Sequence, residues 1–195
     1  MTYVTGLLLA AGAGRRYGGP KALVRDDDGT AWVRRRAQTL ASGGCARVMV
    51  VTGSRSREVE AELEGLDVDT VRAAGWEEGM GASLRTGLAA SSVDARMDAV
   101  LVALVDTPGL TSLVVRRLVA KGSEGALARA SYDGEPGHPV LIGRRHLRGV
   151  VDVAEGDRGA RDYLRTHPVE LVECGDVGSG DDVDVPAPGR PTLGA

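Results

Sequence analysis

Leu7-Leu8-Leu9-Ala10-Ala11-Gly12-Ala13-Gly14-Arg15-Arg16-Tyr17-Gly18-Gly19-Pro20-Lys21 runs from an apolar stretch into a loop of small residues, two arginines, more glycine and a lysine. A strand that ends in glycine and cation brings backbone N–H groups and positive charge against phosphate. Two common phosphate loops fail on the residues. A Walker A loop needs Gly-Lys-Ser/Thr, but Lys21 follows Pro20 and precedes Ala22. A dinucleotide fingerprint needs G-x-G-x-x-G, but Tyr17 stands where the third glycine belongs. What remains is a longer cationic loop. Its small residues, Ala10 to Gly14, let a flat base or ribose approach the backbone. Arg16 offers a fork and Lys21 a point charge to a triphosphate. Of 24 basic residues only two are lysines, Lys21 and Lys121, and one of them sits in this loop.

Outward from the loop, strands alternate with helical patterns. Val4–Leu9 reads as a buried strand and Ala22–Val24 as a short extended piece before the acidic turn Asp26-Asp27-Asp28-Gly29, read as a solvated turn. Thr30 is predicted to cap a helix reaching Ser42, which Gly43-Gly44 stops. Arg34-Arg35-Arg36 reads as its solvated side, with Arg36 nearer the boundary. Arg47–Thr52 and Val68–Arg72 read as strands, with helices starting at Ser54 and Ser83. Ala99–Val105 is the most apolar run, hence the predicted central strand. Thr111 caps the next helix. Ala126–Tyr132, a turn at 133–137 and a returning strand His138–Ile142 suggest an antiparallel pair. Two short helices and a last strand, Val169–Cys174, follow. This pattern predicts an α/β fold with a mostly parallel sheet covered on both faces. Such sheets bind ligands at the carboxyl ends of their strands, where the opening loop and Asp106 both fall.

At 195 residues the chain reads as one domain, residues 1–186, with a frayed tail at 187–195. A net charge of −3 gives no general attraction to nucleic acid. No apolar run approaches the roughly 18 residues of a membrane span, and residues 1–5 lack a basic signal-peptide start, so a cytoplasmic location is expected. Cys45 and Cys174 stand far apart in no CxxC pattern and read as small hydrophobes. Asp106 ends a buried strand, where an unpaired carboxylate is costly. A bound Mg²⁺ is one remedy, since it takes one or two carboxylates plus substrate phosphates. Asp182 and Asp184 are candidates for the second acid.

These residues resemble the MobA-like nucleotidyltransferases, especially the molybdenum-cofactor cytidylyltransferases. The family opening L-A-A-G-x-G/S-x-R-M-G-x-x-K is matched from Leu9-Ala10-Ala11-Gly12 through Arg16, Gly18 and Lys21. Gly79-Met80-Gly81-Ala82-Ser83-Leu84-Arg85-Thr86-Gly87-Leu88, Asp106-Thr107-Pro108 and Gly137-His138-Pro139-Val140 match further motifs in order. So do Gly156-Asp157-Arg158-Gly159-Ala160-Arg161 and Asp182-Val183-Asp184. The departures are Tyr17 for a Met, Gly81 for a Ser, Val105 for a Gly and the altered end after Asp184.

The resemblance implies a three-layer Rossmann-like nucleotidyltransferase fold, mostly parallel with one antiparallel strand. It implies an NTP, Mg²⁺ and a phosphorylated acceptor such as molybdopterin, with a molybdoenzyme as downstream partner. Carried over, Arg16, Lys21 and Asp106 would be catalytic. Leu9, Ala10, Ala11, Gly12, Gly14, Gly79 and Ser83 would join Arg16 and Lys21 in holding the nucleotide. His138, Asp157 and Arg161 would meet the acceptor, and Asp106 with Asp184 the metal. In this family the A-A-G opening accompanies CTP and A-G-G accompanies GTP, so Ala11 points to CTP.

Plainer readings stand beside these. Asp106 can cap a helix. Asp157 and Arg161 can form an ion pair, and Trp76 can be packing. Two other functions fit the same fold: a non-catalytic cofactor-binding chaperone, and an oxidoreductase, because the family extends to an enzyme described as reducing nicotine blue.

Overall fold

The computed structural model describes residues 2–183. Its strands are β1 (Val4–Leu9), β2 (Arg47–Thr52), β3 (Asp69–Arg72), β4 (Ala99–Leu104), β5 (Leu127–Tyr132), β6 (Glu135–Gly143) and β7 (Glu170–Glu173). They form a single sheet in the order β3-β2-β1-β4-β6-β5-β7. The pairs among β1, β2, β3 and β4 are parallel, as is β5 with β7. Only β6 runs against its neighbours, β4 and β5. The most apolar run is the middle strand, as predicted. All six residues of β1 and of β4 are buried, so both faces of the sheet need cover.

That cover comes in two layers. Val4, Leu8 and Ala10 face a core under α1 (Trp32–Ser42), α2 (Ser56–Ala61) and α4 (Ser112–Val119). Leu7, Leu9 and Ala11 face the opposite core, under α3 (Met80–Ser92), α5 (Leu147–Val153) and α6 (Arg161–Thr166). The alternation is the period of two expected of a strand. At Gly87, α3 lies so close to the sheet that a Cβ would fall 2.7 Å from Leu7 Cδ1.

Several element boundaries differ from expectation. Lys21–Leu23 is a turn of 3-10 helix rather than an extended piece. Pro20, at φ −57°, starts it, and the Pro20 carbonyl accepts from Leu23 N at 3.0 Å. Thr30 does not cap α1, because Asp26 N donates to its carbonyl within a small hairpin and the helix starts at Trp32. Asp26 and Asp28 of the acidic turn hold Arg35, and Asp26 also accepts Trp32 Nε1 at 2.9 Å. Arg36 does not face solvent. It is 4 % exposed. α2 begins at Ser56 because Arg55 is left-handed, and α3 begins at Met80, which puts Ser83 inside its first turn. β6 starts earlier than expected. Asp133 and Gly134, both at positive φ, make a two-residue hairpin turn that leaves 135–137 free to pair. Thr111 caps α4, its Oγ1 accepting from Val114 N at 3.3 Å. Both cysteines are free, and burial pushes the Cys45 thiol up to about 12.

Leu101, fully buried on β4, carries the centre of one core. Leu101→Ala is expected to lower the unfolding free energy by about 2–5 kcal/mol in urea titration. Val93→Ala, at a position 83 % exposed, should change it by less than about 0.5 kcal/mol.

Candidate active site

The loop after β1 is held by one carbonyl. Gly14 O accepts from the backbone N–H groups of Tyr17, Gly18 and Gly19 at 2.9, 3.0 and 3.2 Å. Gly14 itself has φ +58°, and a Cβ there would lie 1.9 Å from Gly19 O, so the fold requires glycine. Tyr17 is buried and meets the Trp32 ring edge-on, centroids 5.9 Å apart, which pins the loop to α1. Lys21, the first residue of the 3-10 turn, then reaches across the sheet end. Its Nζ donates to Asp106 Oδ2 at 2.8 Å, the two side chains being 14 % and 20 % exposed. Asp106 therefore does not cap a helix. It pairs with the loop.

Around this pair lies a cleft of about 350 Å³. The loop side supplies Leu9, Ala11, Gly12, Gly14, Arg16 and Lys21. The far side supplies Gly79, Ser83, Asp106 and Asp157. Ala10 does not line it, since the strand alternation turns this residue into the opposite core. The start of α3 is fitted to the segment at 154–157 by missing side chains. A Cβ on Gly79 would lie 2.6 Å from Asp157 Oδ1, and one on Gly81 2.9 Å from the Ala154 carbonyl. Arg85 clamps the same joint by donating to Ala154 O and to Glu78 Oε2. These contacts explain the Gly-x-Gly-x-Ser-Leu-Arg spacing.

Asp106 suits a divalent cation that draws most of its ligands from phosphate and water. Its carboxylate is partly exposed to the cleft, and no group of three or more His, Cys, Asp or Glu is assembled for a metal among the described residues. Val183 N donates to the Asp106 carbonyl at 3.1 Å, which brings the Asp182-Val183 segment beside the cleft. Asp184 and residues 187–195 lie outside the described residues.

Of the remaining predicted residues, His138 lies on β6, Asp157 in a helical turn at 156–158, and Arg161 at the start of α6. β4 pairs with β6 at Val102↔Val140. His138 lies two residues before Val140 on β6. Tyr132 Oη donates to His138 O at 2.8 Å. The Tyr132 ring packs where Cβ atoms on Gly137 and Gly180 would come within 2.8 and 2.5 Å. The His138 imidazole is pushed down to about 4, by burial first and then by the Arg129 guanidinium, with Arg161 adding and Asp106 opposing. Burial and Arg161 also lower Arg129. Asp157 and Arg161 form no ion pair among the described residues. The pairs on this segment are Arg158–Asp162 and Arg165–Asp162.

No sequence motif contains Arg129, which stands between Ala128 and Ala130 on β5. Sequence reading missed Glu77, Met80 and Leu104 as cleft residues. Trp76 packs on the core, and it also lines the cleft.

A glycine-rich cationic loop facing a carboxylate at the end of the middle strand defines a nucleotidyltransferase-type α/β domain. The chain belongs to the MobA-like NTP transferase family, whose domain matches residues 6–171. It is 39% identical over 191 residues to the nicotine blue oxidoreductase of Paenarthrobacter nicotinovorans, across 93% of this chain and 92% of that one. Among solved structures, Rv0371c from Mycobacterium tuberculosis H37Rv matches with a TM-score of 0.78 at 26% identity over 88% of each chain. A manganese complex of Rv0371c matches at 0.72 and 25%, also over 88% of each chain. A nucleotidyl transferase from Methanothermobacter shares the fold, at a TM-score of 0.74 and 24% identity over 89% of this chain and 88% of that one.

The depressed His138 has a measurable consequence. Between pH 6.5 and about 4 the unfolded chain binds a proton at this residue that the folded chain does not. Above about pH 6.5 this residue therefore adds no protonation penalty, and it destabilises the fold progressively as pH falls toward 4. NMR titration should place the His138 midpoint near 4, and Arg129→Gln should raise it. A wild-type midpoint near 6.5 would contradict the environment described.

Proposed function

We propose that the chain transfers a nucleoside monophosphate from an NTP to a phosphorylated acceptor and releases pyrophosphate. The observation that carries this reading is the Lys21–Asp106 pair at the mouth of a small-residue loop. Phosphoryl transfer needs positioning and charge neutralisation more than a protein nucleophile. Backbone N–H groups of the loop receive the triphosphate, with Arg16 and Lys21 offsetting its charge. Ala11, Gly12 and Gly14 leave room for the nucleoside, while Gly79 and Ser83 border it from α3. Asp106, with Asp184 or Asp182 as second acid, would hold Mg²⁺, which when bound neutralises phosphate charge and orients the α-phosphate. An acceptor phosphate oxygen attacks the α-phosphorus. The α–β bridging bond breaks, and its electron pair leaves with pyrophosphate. His138, Asp157 and Arg161 border the acceptor.

The finer assignments follow the family pattern. Ala11 favours CTP, and molybdopterin is the proposed acceptor, with a molybdoenzyme receiving the product. The manganese complex of Rv0371c supports a divalent cation. No helix of the described residues is long and apolar enough to cross a membrane, and we propose a cytoplasmic site of action.

The name of the 39%-identical relative favours a second reading, reduction of an organic substrate by a nicotinamide or flavin. The missing dinucleotide fingerprint weighs against it. Titration with NAD(P)H and flavin decides this, and tight binding with substrate-dependent oxidation of NAD(P)H would replace the transfer reading.

Incubation with each NTP, Mg²⁺ and candidate phosphorylated acceptors is expected to release pyrophosphate, fastest with CTP. Asp106→Ala should lower the rate by about 100-fold or more with the fold intact by circular dichroism. Full activity in that variant would remove Asp106 from the mechanism.

A further inference from the structure

We propose that Trp76 is the platform on which the nucleobase stacks. The proposal deepens the transfer reading and rests on it for the identity of the flat ring; the place of the platform rests on the cleft and its contacts.

Two aromatic residues line the cleft among the described residues, Tyr17 and Trp76. Tyr17 is 2 % exposed and its ring is taken up by the edge-on contact with Trp32. Trp76 is half-buried, packing on the core under α3 and still lining the cleft. It starts a 3-10 turn, 76–78, whose backbone is fixed on both sides. Trp76 N donates to Ala73 O, and Gly79 N donates to Trp76 O, each at 3.2 Å. Its place against the glycine-rich loop is set by Gly53. A Cβ on Gly53 would lie 2.8 Å from Ala11 Cβ and 2.8 Å from Trp76 Cβ. The two side chains therefore converge on one point, and glycine there lets Trp76 close on the loop. Ser54 N donates to Ala11 O at 3.0 Å and locks the same joint. Trp76 thus stands beside Ala11, where the loop begins, whereas Arg16 and Lys21 come later in it. Met80, 36 % exposed, adds another open apolar side chain to the same cleft. Apolar surface left open to water in a charged cleft is costly, and a flat ring laid on it removes that cost. A triphosphate held by Arg16 and Lys21 leaves its base to be held elsewhere. Stacking on an aromatic face needs no hydrogen bond and accepts any base. Trp76 therefore supplies affinity and leaves the choice among bases to the loop.

The chain's two tryptophans make the test direct. Trp32 is 2 % exposed and its Nε1 donates to Asp26, so a ligand in the cleft reaches Trp76 alone. CTP, ATP or inorganic tripolyphosphate is added with Mg²⁺, and calorimetry and tryptophan emission are followed together. In wild-type protein both nucleotides should quench the emission and tripolyphosphate should not. Trp76→Leu should weaken CTP and ATP by about 5–100-fold and tripolyphosphate by less than about twofold, while Trp76→Phe should keep nucleotide affinity within about threefold of wild type. The wild-type emission needs no variant, so the test stands if Trp76→Leu fails to fold. Bound CTP that leaves the emission unchanged, or equal CTP affinity in Trp76→Leu, would overturn the platform alone. An equal loss for tripolyphosphate would overturn it too, by making Trp76 a support of the loop. Stacked CTP without pyrophosphate release with any phosphorylated acceptor would leave the platform standing and remove the transfer reading. Wild-type protein that binds neither nucleotide would remove both.

Discussion

The ion pair between Lys21 and Asp106 ties together the two halves of the site. Asp106 stands at the end of a strand buried along its whole length, where a carboxylate without a counter-charge is expensive. Lys21 is the last residue of the glycine-rich loop, and its ammonium can reach that carboxylate only if the loop keeps its shape. Gly14 supplies the shape through its left-handed backbone and its thrice-used carbonyl, and Tyr17 anchors it against Trp32. The pair is only partly shielded from solvent. Its attraction is therefore moderate. A lysine that closes the cleft and can also bind phosphate suits a site that handles highly charged ligands.

Much of this was legible in the chain. The apolar run at 99–105 marked the middle strand because a strand covered on both faces leaves no polar period. The loop and Asp106 were legible because glycine, cation and acid fall at strand ends, where this class of sheet gathers its ligands. Helix starts were less legible. Thr30 and Ser83 are good capping residues, but tertiary contacts decided both positions. Thr30 is held in a hairpin with Asp26, and the packing of Gly79 and Gly81 against 154–157 lets α3 begin at Met80. Arg36 reads as surface in an Arg-rich run, yet helical period turns it inward.

Fold and chemistry are separable here. The same architecture carries a relative named as an oxidoreductase and others named as nucleotidyl transferases, so the reaction must be argued from the site. The charges that line this cleft, Arg16 and Lys21 on one side and Asp106 facing them, suit phosphate. A hydride-transfer site would ask instead for a nicotinamide or flavin platform, and the loop lacks the glycine that a dinucleotide pyrophosphate requires.

Asp106 is proposed to join a divalent cation to a nucleotide held by the loop. Water-proton relaxation with Mn²⁺ reports this without turnover. Wild-type protein is expected to enhance relaxation when Mn²⁺ and CTP are added together, and Asp106→Ala, equally folded, is expected to lose that enhancement. Equal enhancement in both proteins, or none in the wild type with any NTP, would contradict the assignment.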